Sequence, residues 1–173
     1  METGNLMVDA QTAFARELRR RRRDRVAGWL TRRRGECARL ASLDGALDQA
    51  PPAGHRPVGL SAIPLDSIVG TAETAKTHSF DRRFRPPSSS RKRWERLWMA
   101  GRRGTPLPPI SVYRLGGEHF VRDGHHRVSV ARALGMAAID AEVTDLNAPH
   151  RATPLACRHW KVIRSRPSDP VGT

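Results

Sequence analysis

A length of 173 residues allows one ordinary domain with extensions, because about a hundred residues already bury enough apolar surface to fold alone. No run of eighteen apolar residues occurs, and the first residues lack the basic-then-apolar order of a secretory signal, so we expect a soluble, cytoplasmic protein without a membrane partner. The two cysteines, Cys37 and Cys157, are far apart and have no CxxC neighbour, which argues against a disulfide framework and a cysteine zinc site.

The charge is strongly positive, with a formal net charge of +14 at pH 7. Such a chain favours polyanionic partners such as nucleic acid, nucleotides or anionic headgroups. Basic residues outnumber acidic ones by 12 to 7 in residues 1–56, by 14 to 9 in 57–146 and by 5 to 1 in 147–173. Because the excess is spread along the chain, it indicates a general attraction to anions and not one dedicated basic tail.

The first predicted element is a helix over about residues 9–43, a proline-free stretch in which apolar residues recur every three or four positions. Five consecutive arginines, Arg19 to Arg23, lie within it and must spread around all sides of the helix. We interpret the arginine run as a solvated surface, with a nucleic-acid contact as the alternative.

Composition predicts four segments. An arginine-rich helical arm covers residues 1–47, and a Pro/Gly linker follows at 48–56. The domain proper extends over 57–146, and 147–173 is a basic, proline-containing tail.

The domain begins with apolar residues that predict a short strand and a turn. These are Ile63, Leu65, Ile68 and Val69, and Pro64 among them favours an edge position in a sheet. Residues 70–90 are polar and predict a loop with at most a short helix. A loop of that length in a compact domain usually has a function.

A second helix is predicted from Ser88 to Gly101. Ser90 is placed to cap its start and Gly101 to end it. One face carries Trp94, Leu97 and Trp98, and two tryptophans four positions apart indicate core packing more than base stacking.

Glycines in the last part of the domain indicate where turns occur and where a helix ends. Gly116 and Gly117 separate two alternating runs and predict a β-hairpin, because both can adopt the positive φ values of a two-residue turn. A helix over 128–134 then ends at Gly135, and a strand follows at 136–143. The order of elements predicts an α/β (α+β) fold: a small mixed sheet with packed helices, preceded by the helical arm.

The stretch FVRDGHHRV contains the end of the second hairpin strand and the start of the following helix. Asp123 ends the strand, and Gly124 permits a left-handed turn. The unpaired amides of the helix start, the guanidinium of Arg127 and the imidazoles of His125 and His126 could converge on an anion. These four residues from Gly124 to Arg127 are therefore candidates for phosphate binding.

A simpler interpretation of the same stretch needs no ligand. Asp123 alone can cap the helix, and a glycine before a helix is common. The residues by themselves leave the capped turn and the anion site open. We expect no metal site, because the adjacent His125 and His126 point in different directions at a helix start.

The run EHFVRDGHHRVSVARALGMAAIDAEV, preceded by IPLDSIVG and PLPPISVYRLGG, resembles the ParB/sulfiredoxin superfamily. The resemblance is strongest to small ParB N-terminal-domain-like proteins of actinobacterial type, and it covers about residues 57–146. It implies a ParB/sulfiredoxin-like fold. In ParB proteins the corresponding motif, Gly-Glu-Arg-Arg, helps to bind the phosphates of CTP. In sulfiredoxins it is Gly-Cys-His-Arg, whose cysteine is the nucleophile and whose arginine contacts ATP.

Aligned on that motif, Gly124 and Arg127 are the shared positions, and His126 matches the sulfiredoxin histidine. His125 stands where the relatives have a cysteine or a glutamate. Because the thiolate is missing, the resemblance does not imply sulfiredoxin chemistry.

The superfamily also includes free serine kinases, which use an Asp-Gly-His type motif and a glutamate base. That likeness implies Glu73 as the catalytic base and Thr71 as a phosphate contact, and Asp123 is the alternative base if the protein is a phosphotransferase or NTPase. Arg82 and Arg85, from the long loop, are implied as further phosphate-binding residues.

The resemblance as a whole implies a ParB-like regulatory protein that binds CTP or ATP, with Mg²⁺ on the nucleotide, and that is associated with DNA or chromosome partitioning. The alternatives are a small-molecule phosphotransferase or NTPase of the free-serine-kinase type, and a DNA-binding or nuclease-like accessory protein. Because nothing after residue 146 is long enough for a helix-turn-helix domain, we expect any DNA contact to be largely nonspecific. The nucleotide, its turnover and the oligomeric state stay open.

Overall fold

A computed structural model describes residues 4–30, 39–47 and 52–147 of the chain. The predictions for Cys37, Cys157 and nearly all of the tail lie outside these residues.

The described elements follow one another along the chain as four helices and six strands. They are α1 (Leu6–Leu30), β1 (Ala41–Ser42), α2 (Leu43–Ala46), β2 (Gly54–Pro64), β3 (Ile68–Thr71), α3 (Arg91–Arg102), β4 (Ile110–Leu115), β5 (Glu118–Asp123), α4 (His125–Ala133) and β6 (Ala138–Asn147). Short 3₁₀ turns lie at Leu65–Ser67, Thr74–Lys76 and Ser88–Ser90.

The strands form one mixed sheet in the order β1-β3-β5-β4-β6-β2. Pairs β1–β3, β3–β5 and β4–β6 are parallel, whereas β4–β5 and β2–β6 are antiparallel. Gly116 and Gly117 have φ values of 54° and 84° and join β4 to β5, so the predicted hairpin is confirmed. Pro64 ends β2 at an edge of the sheet, as predicted. The mixed α/β fold class is confirmed as well.

The predicted helix over 9–43 is wrong at its C-terminal end. α1 is described to Leu30, and Ala41–Ser42 instead form β1, which pairs with β3. The pairing brings the Ala41 carbonyl against Gly70, where any Cβ would collide with it. The apolar periodicity does not distinguish helix from strand here, because Leu40 is buried beside β1 as it would also be in a helix.

The predicted linker also contains strand. β2 begins at Gly54, where it pairs with Asn147 of β6, so the last residues of the segment 48–56 belong to the sheet. Local Pro/Gly content cannot reveal this pairing, because the partner strand lies about 90 residues further along the chain. The division into arm, linker, domain and tail stays a prediction.

α1 packs against α3 and α4 through apolar side chains. The rings of Phe14 and Trp94 are 5.4 Å apart, and Trp98 and Val130 belong to the same buried cluster. The Trp94 indole N–H donates to the Ser129 hydroxyl at 2.9 Å. The prediction that the two tryptophans are core residues is confirmed.

The ends of α3 differ from the prediction. The Ser90 hydroxyl donates to the Pro87 carbonyl and caps no helix amide. The helix continues to Arg102, and Gly101 instead allows α4 to approach, since a Cβ there would lie 2.8 Å from Leu134 Cδ1. By contrast, Gly135 ends α4 with a φ of 75°, as predicted.

Within the described residues, no helix combines the length and the apolar character needed to cross a membrane. A cleft of about 490 Å³ lies between α1 and α3. Met7, Ala10 and Met99 line it, together with the charged residues Lys92, Glu95 and Arg96. No residue of the β5–α4 junction borders this cleft.

Candidate functional site

The β5–α4 junction turns at one left-handed glycine. Asp123 is the last residue of β5, and Gly124 follows with a φ of +100°, which confirms the predicted turn. A Cβ at Gly124 would lie 2.9 Å from Ile110 Cβ and collide with Ile110 Cγ2. Both the φ value and the packing therefore require glycine. Ile110 is fully buried in β4, so the sheet fixes where α4 begins.

The start of α4 has backbone amides that no side chain caps. The Val128 N–H donates to the Gly124 carbonyl at 3.0 Å as the first bond of the helix. The amides of His125, His126 and Arg127 precede that bond and have no partner within the helix. The capped-turn interpretation is wrong in its detail, because the N-cap position is Gly124 and not Asp123.

Asp123 pairs instead with Arg127. The Arg127 Nη2 donates to Asp123 Oδ2, and its Nη1 donates to the carbonyls of Pro108 and Pro109 at 2.7 and 2.5 Å. The Arg127 side chain is 14% exposed, whereas that of Asp123 is 67% exposed. Arg127 thus ties the start of α4 to the segment entering β4, and one of its partners lies at the surface.

His125 is 5% exposed and contacts a residue that the sequence predicted for the same site. Its Nε2 lies 2.7 Å from the hydroxyl of Thr71, which is fully buried and also accepts the N–H of Glu73 at 3.0 Å. Burial, together with the positive charge of Lys76, lowers the pKa of His125 to about 4, although Asp123 opposes the shift. His125 is therefore neutral at pH 7.

His126 lies beside it with a similar electrostatic environment. Burial lowers the pKa of His126 to about 4, and the cations Arg93 and Lys76 act in the same direction. Its Nδ1 is buried without a hydrogen-bond partner among the described residues. The ring meets Phe80 edge-on at 5.0 Å, and Phe80 also stacks on His125 at 5.7 Å.

The structure thus brings Thr71 and the backbone of Glu73 to the junction, while the Glu73 residue itself is exposed. Sequence reasoning missed Lys76, Arg93 and Phe80. Lys76 follows Glu73 by one 3₁₀ turn, but Arg93 comes from α3, and no local pattern could have placed it near α4.

The two arginines predicted from the long loop have other surroundings than the residues of the junction. Arg85 is 6% exposed, and its nitrogens lie 3.0 Å from Asp24, 3.5 Å from Asp81 and 3.8 Å from Glu17. Arg82 is half-buried and has no ion pair or hydrogen bond with the described residues. A phosphate contact by either residue stays a prediction, and the surroundings of Arg85 disfavour it.

No group of three or more His, Cys, Asp or Glu side chains could hold a metal ion in residues 4–30, 39–47 and 52–147.

Comparison with known proteins gives one structural likeness. No protein-family model matches the chain, and no curated protein matches it. The chain is similar to the crystal structure of sulfiredoxin from Arabidopsis thaliana, at 21% identity over 58% of this chain and 93% of that chain, with a TM-score of 0.37. A likeness at this level carries no argument about activity, and the mixed α/β architecture stands on the elements described above.

Proposed function

We propose that the β5–α4 junction binds the phosphate groups of a nucleotide such as CTP or ATP. The observation that carries the proposal is the uncapped start of α4, held by Gly124 against Ile110. A helix start combines free N–H donors with a partial positive charge, and both favour an anion.

Two cations strengthen the local field. The positive charges of Lys76 and Arg93 both lower the pKa of His126, so their field extends to the start of α4. A phosphate in that field is attracted, whereas a second proton on either imidazole is repelled. Neutral His125 and His126 can still donate one ring N–H each.

Arg127 has a hydrogen-bond partner, Asp123, that a phosphate could replace. Its Nη2 binds the exposed carboxylate of Asp123, and a phosphate oxygen is an acceptor of the same kind. We therefore expect phosphate to displace Asp123 from Nη2 while Nη1 stays with the two proline carbonyls. Mg²⁺ bound to the nucleotide would neutralise part of the phosphate charge.

Isothermal calorimetry with CTP or ATP and Mg²⁺ tests this arrangement. Arg127→Ala should weaken binding at least about tenfold, because it removes a charge-assisted phosphate contact. Lys76→Ala should weaken it less, and Asp123→Asn should tighten it, because a competing negative charge is lost. Lys92→Ala is the matched control, since Lys92 lines the α1–α3 cleft, which no residue of the junction borders.

Absence of binding by the intact protein at millimolar concentrations of either nucleotide would overturn the proposal. An equal effect of Lys76→Ala and Lys92→Ala would show that only the net charge attracts the nucleotide.

The second candidate function is phosphoryl transfer from the bound nucleotide to a small alcohol. The Thr71 hydroxyl joins His125 to the backbone of Glu73, and this contact supports Glu73 as the candidate base. Labelled ATP or CTP with small alcohol acceptors gives the measurement. Loss of turnover in Glu73→Gln with binding retained would support an enzyme, and zero turnover across acceptors would exclude this candidate.

A regulatory role connected with DNA has separate support in α1. Four members of its arginine run, Arg19, Arg20, Arg22 and Arg23, are exposed. Replacing Arg22 and Arg23 by Gln should reduce both DNA affinity and its salt dependence. We do not expect this change to alter the affinity for the nucleotide.

A further inference from the structure

The segment 79–85 covers the two histidines. Phe80 contacts both imidazoles, and Phe84 stacks on His125 at 6.2 Å. Both phenylalanines are buried. We call these two rings the aromatic cover. The helix α1, about sixty residues earlier in the chain, contacts the backbone of the same segment.

α1 contacts this segment at both of its ends. Arg21 Nη1 donates to the Ser79 carbonyl at 2.9 Å and to the Arg85 carbonyl at 3.3 Å. Glu17 and Asp24 lie about one turn on either side of Arg21, on the same face of α1, and both face the Arg85 guanidinium. One helix face therefore holds both the backbone and a buried charge of the segment.

The segment is also shaped by its own carboxylate. Asp81 Oδ1 accepts the amides of Arg83 and Arg85 at 3.0 and 2.9 Å. Phe84 has a φ of 57°, the only non-glycine residue with a positive φ among those described. A buried phenylalanine adopts this conformation only where its surroundings enforce it, and the Arg132 guanidinium lies 5.1 Å from its ring. The cover is thus held in one position by contacts outside itself.

We infer that Arg21 and Arg85 are positioning residues, through which α1 holds the aromatic cover over His125 and His126 and keeps water from the imidazoles. α1 is then a structural part of the site as well as a basic helix. The inference deepens the proposed function, because the same rings border the proposed phosphate site. Its contacts exist whether or not a nucleotide binds.

Histidine NMR without any nucleotide tests the inference. Arg21→Ala removes the two carbonyl contacts and leaves Arg85 to balance the acids. We expect the pKa of at least one imidazole to rise from about 4 by about one unit or more toward its ordinary value of 6.5, because water gains access. The polar and charged groups that face the rings are unchanged by the substitution: Lys76, Arg93, Asp123 and Thr71.

Arg22→Ala is the matched control, since Arg22 is the exposed neighbour of Arg21 on α1. Near-UV circular dichroism of the buried tryptophans checks the fold of each variant. If Arg21→Ala does not fold, the milder Asp24→Asn is measured instead, because Asp24 is half-exposed and its loss removes one contact to Arg85. We then expect faster amide exchange at Phe84 and Arg85 and a smaller pKa rise.

Unchanged histidine titration in a folded Arg21→Ala, or in a folded Asp24→Asn where Arg21→Ala does not fold, overturns the inference. A role in stability alone would lower the denaturation midpoint without moving the titration. Failure of nucleotide binding would leave this result unaffected, so the two proposals fail separately.

Discussion

Arg127 and Arg85 were both predicted to bind phosphate, and the structure places them in opposite surroundings. Arg127 has two carbonyl partners and one carboxylate that lies at the surface. Arg85 is buried among carboxylates from α1 and from its own segment. An incoming phosphate can replace an exposed carboxylate, but removing a cation from a buried acidic cluster leaves unpaired charges. The environment of an arginine therefore decides whether it can serve as an anion ligand.

The largest effect expected from this contrast is on stability. Arg85→Met should lower the free energy of unfolding by about 3–5 kcal/mol, because Glu17 and Asp81 lose a buried counter-charge and the arginines left beside Glu17 are half-exposed. Arg127→Met should cost about 1–2 kcal/mol, the value of its hydrogen bonds to two carbonyls. Urea denaturation of both variants gives the comparison. Equal losses would remove the distinction between the two arginines.

The next effect concerns the glycine that fixes the junction. Gly124→Ala should lower the free energy of unfolding by about 2–4 kcal/mol, because left-handed strain adds to a clash with Ile110. Gly135→Ala is the control, since Gly135 also has a positive φ but open space around it. We expect about 1 kcal/mol there, from strain alone. A similar cost at both positions would mean that packing against β4 does not fix the start of α4.

A further effect expected from the buried junction is the pH dependence of the free energy of unfolding. The pKa values of His125 and His126 are about 4 in the folded chain, below the ordinary 6.5, so the unfolded chain takes up protons first. Their contribution is complete above about pH 6.5 and is lost as the pH falls toward 4. Each histidine contributes a slope of up to about 1.4 kcal/mol per pH unit.

Denaturation at pH 7 and pH 5 checks this slope. His125→Gln should make the dependence shallower, and His55→Gln, at an exposed position of β2, is the control. His119 adds a contribution of the same sign, because burial also lowers its pKa. A free energy of unfolding that does not fall between pH 7 and pH 5 would contradict the buried, neutral histidines.

The parts of the fold that local chemistry determines could be predicted from the sequence. Gly116 and Gly117 favour a tight hairpin turn, and Gly124 can adopt the left-handed conformation of the junction. The conformation at these positions could therefore be predicted from the residue type. The spacing of Trp94 and Trp98 likewise indicates one buried helix face.

The parts that depend on distant residues could not be predicted. Five consecutive arginines do not reveal that Arg21 alone turns inward to Ser79, because its partner lies 58 positions away. The same reason hides the burial of Arg85 and the pairing of β1 with β3. Sequence reasoning therefore identified only some of the residues that surround the junction, and the phosphate site itself stays a prediction.

An NMR titration of the backbone amides with ATP or CTP and Mg²⁺ shows whether the start of α4 binds phosphate. We expect the largest chemical-shift changes at the amides of His125, His126 and Arg127, with smaller changes at Lys76. Shifts confined to the exposed arginines of α1, or none at millimolar nucleotide, would contradict that expectation.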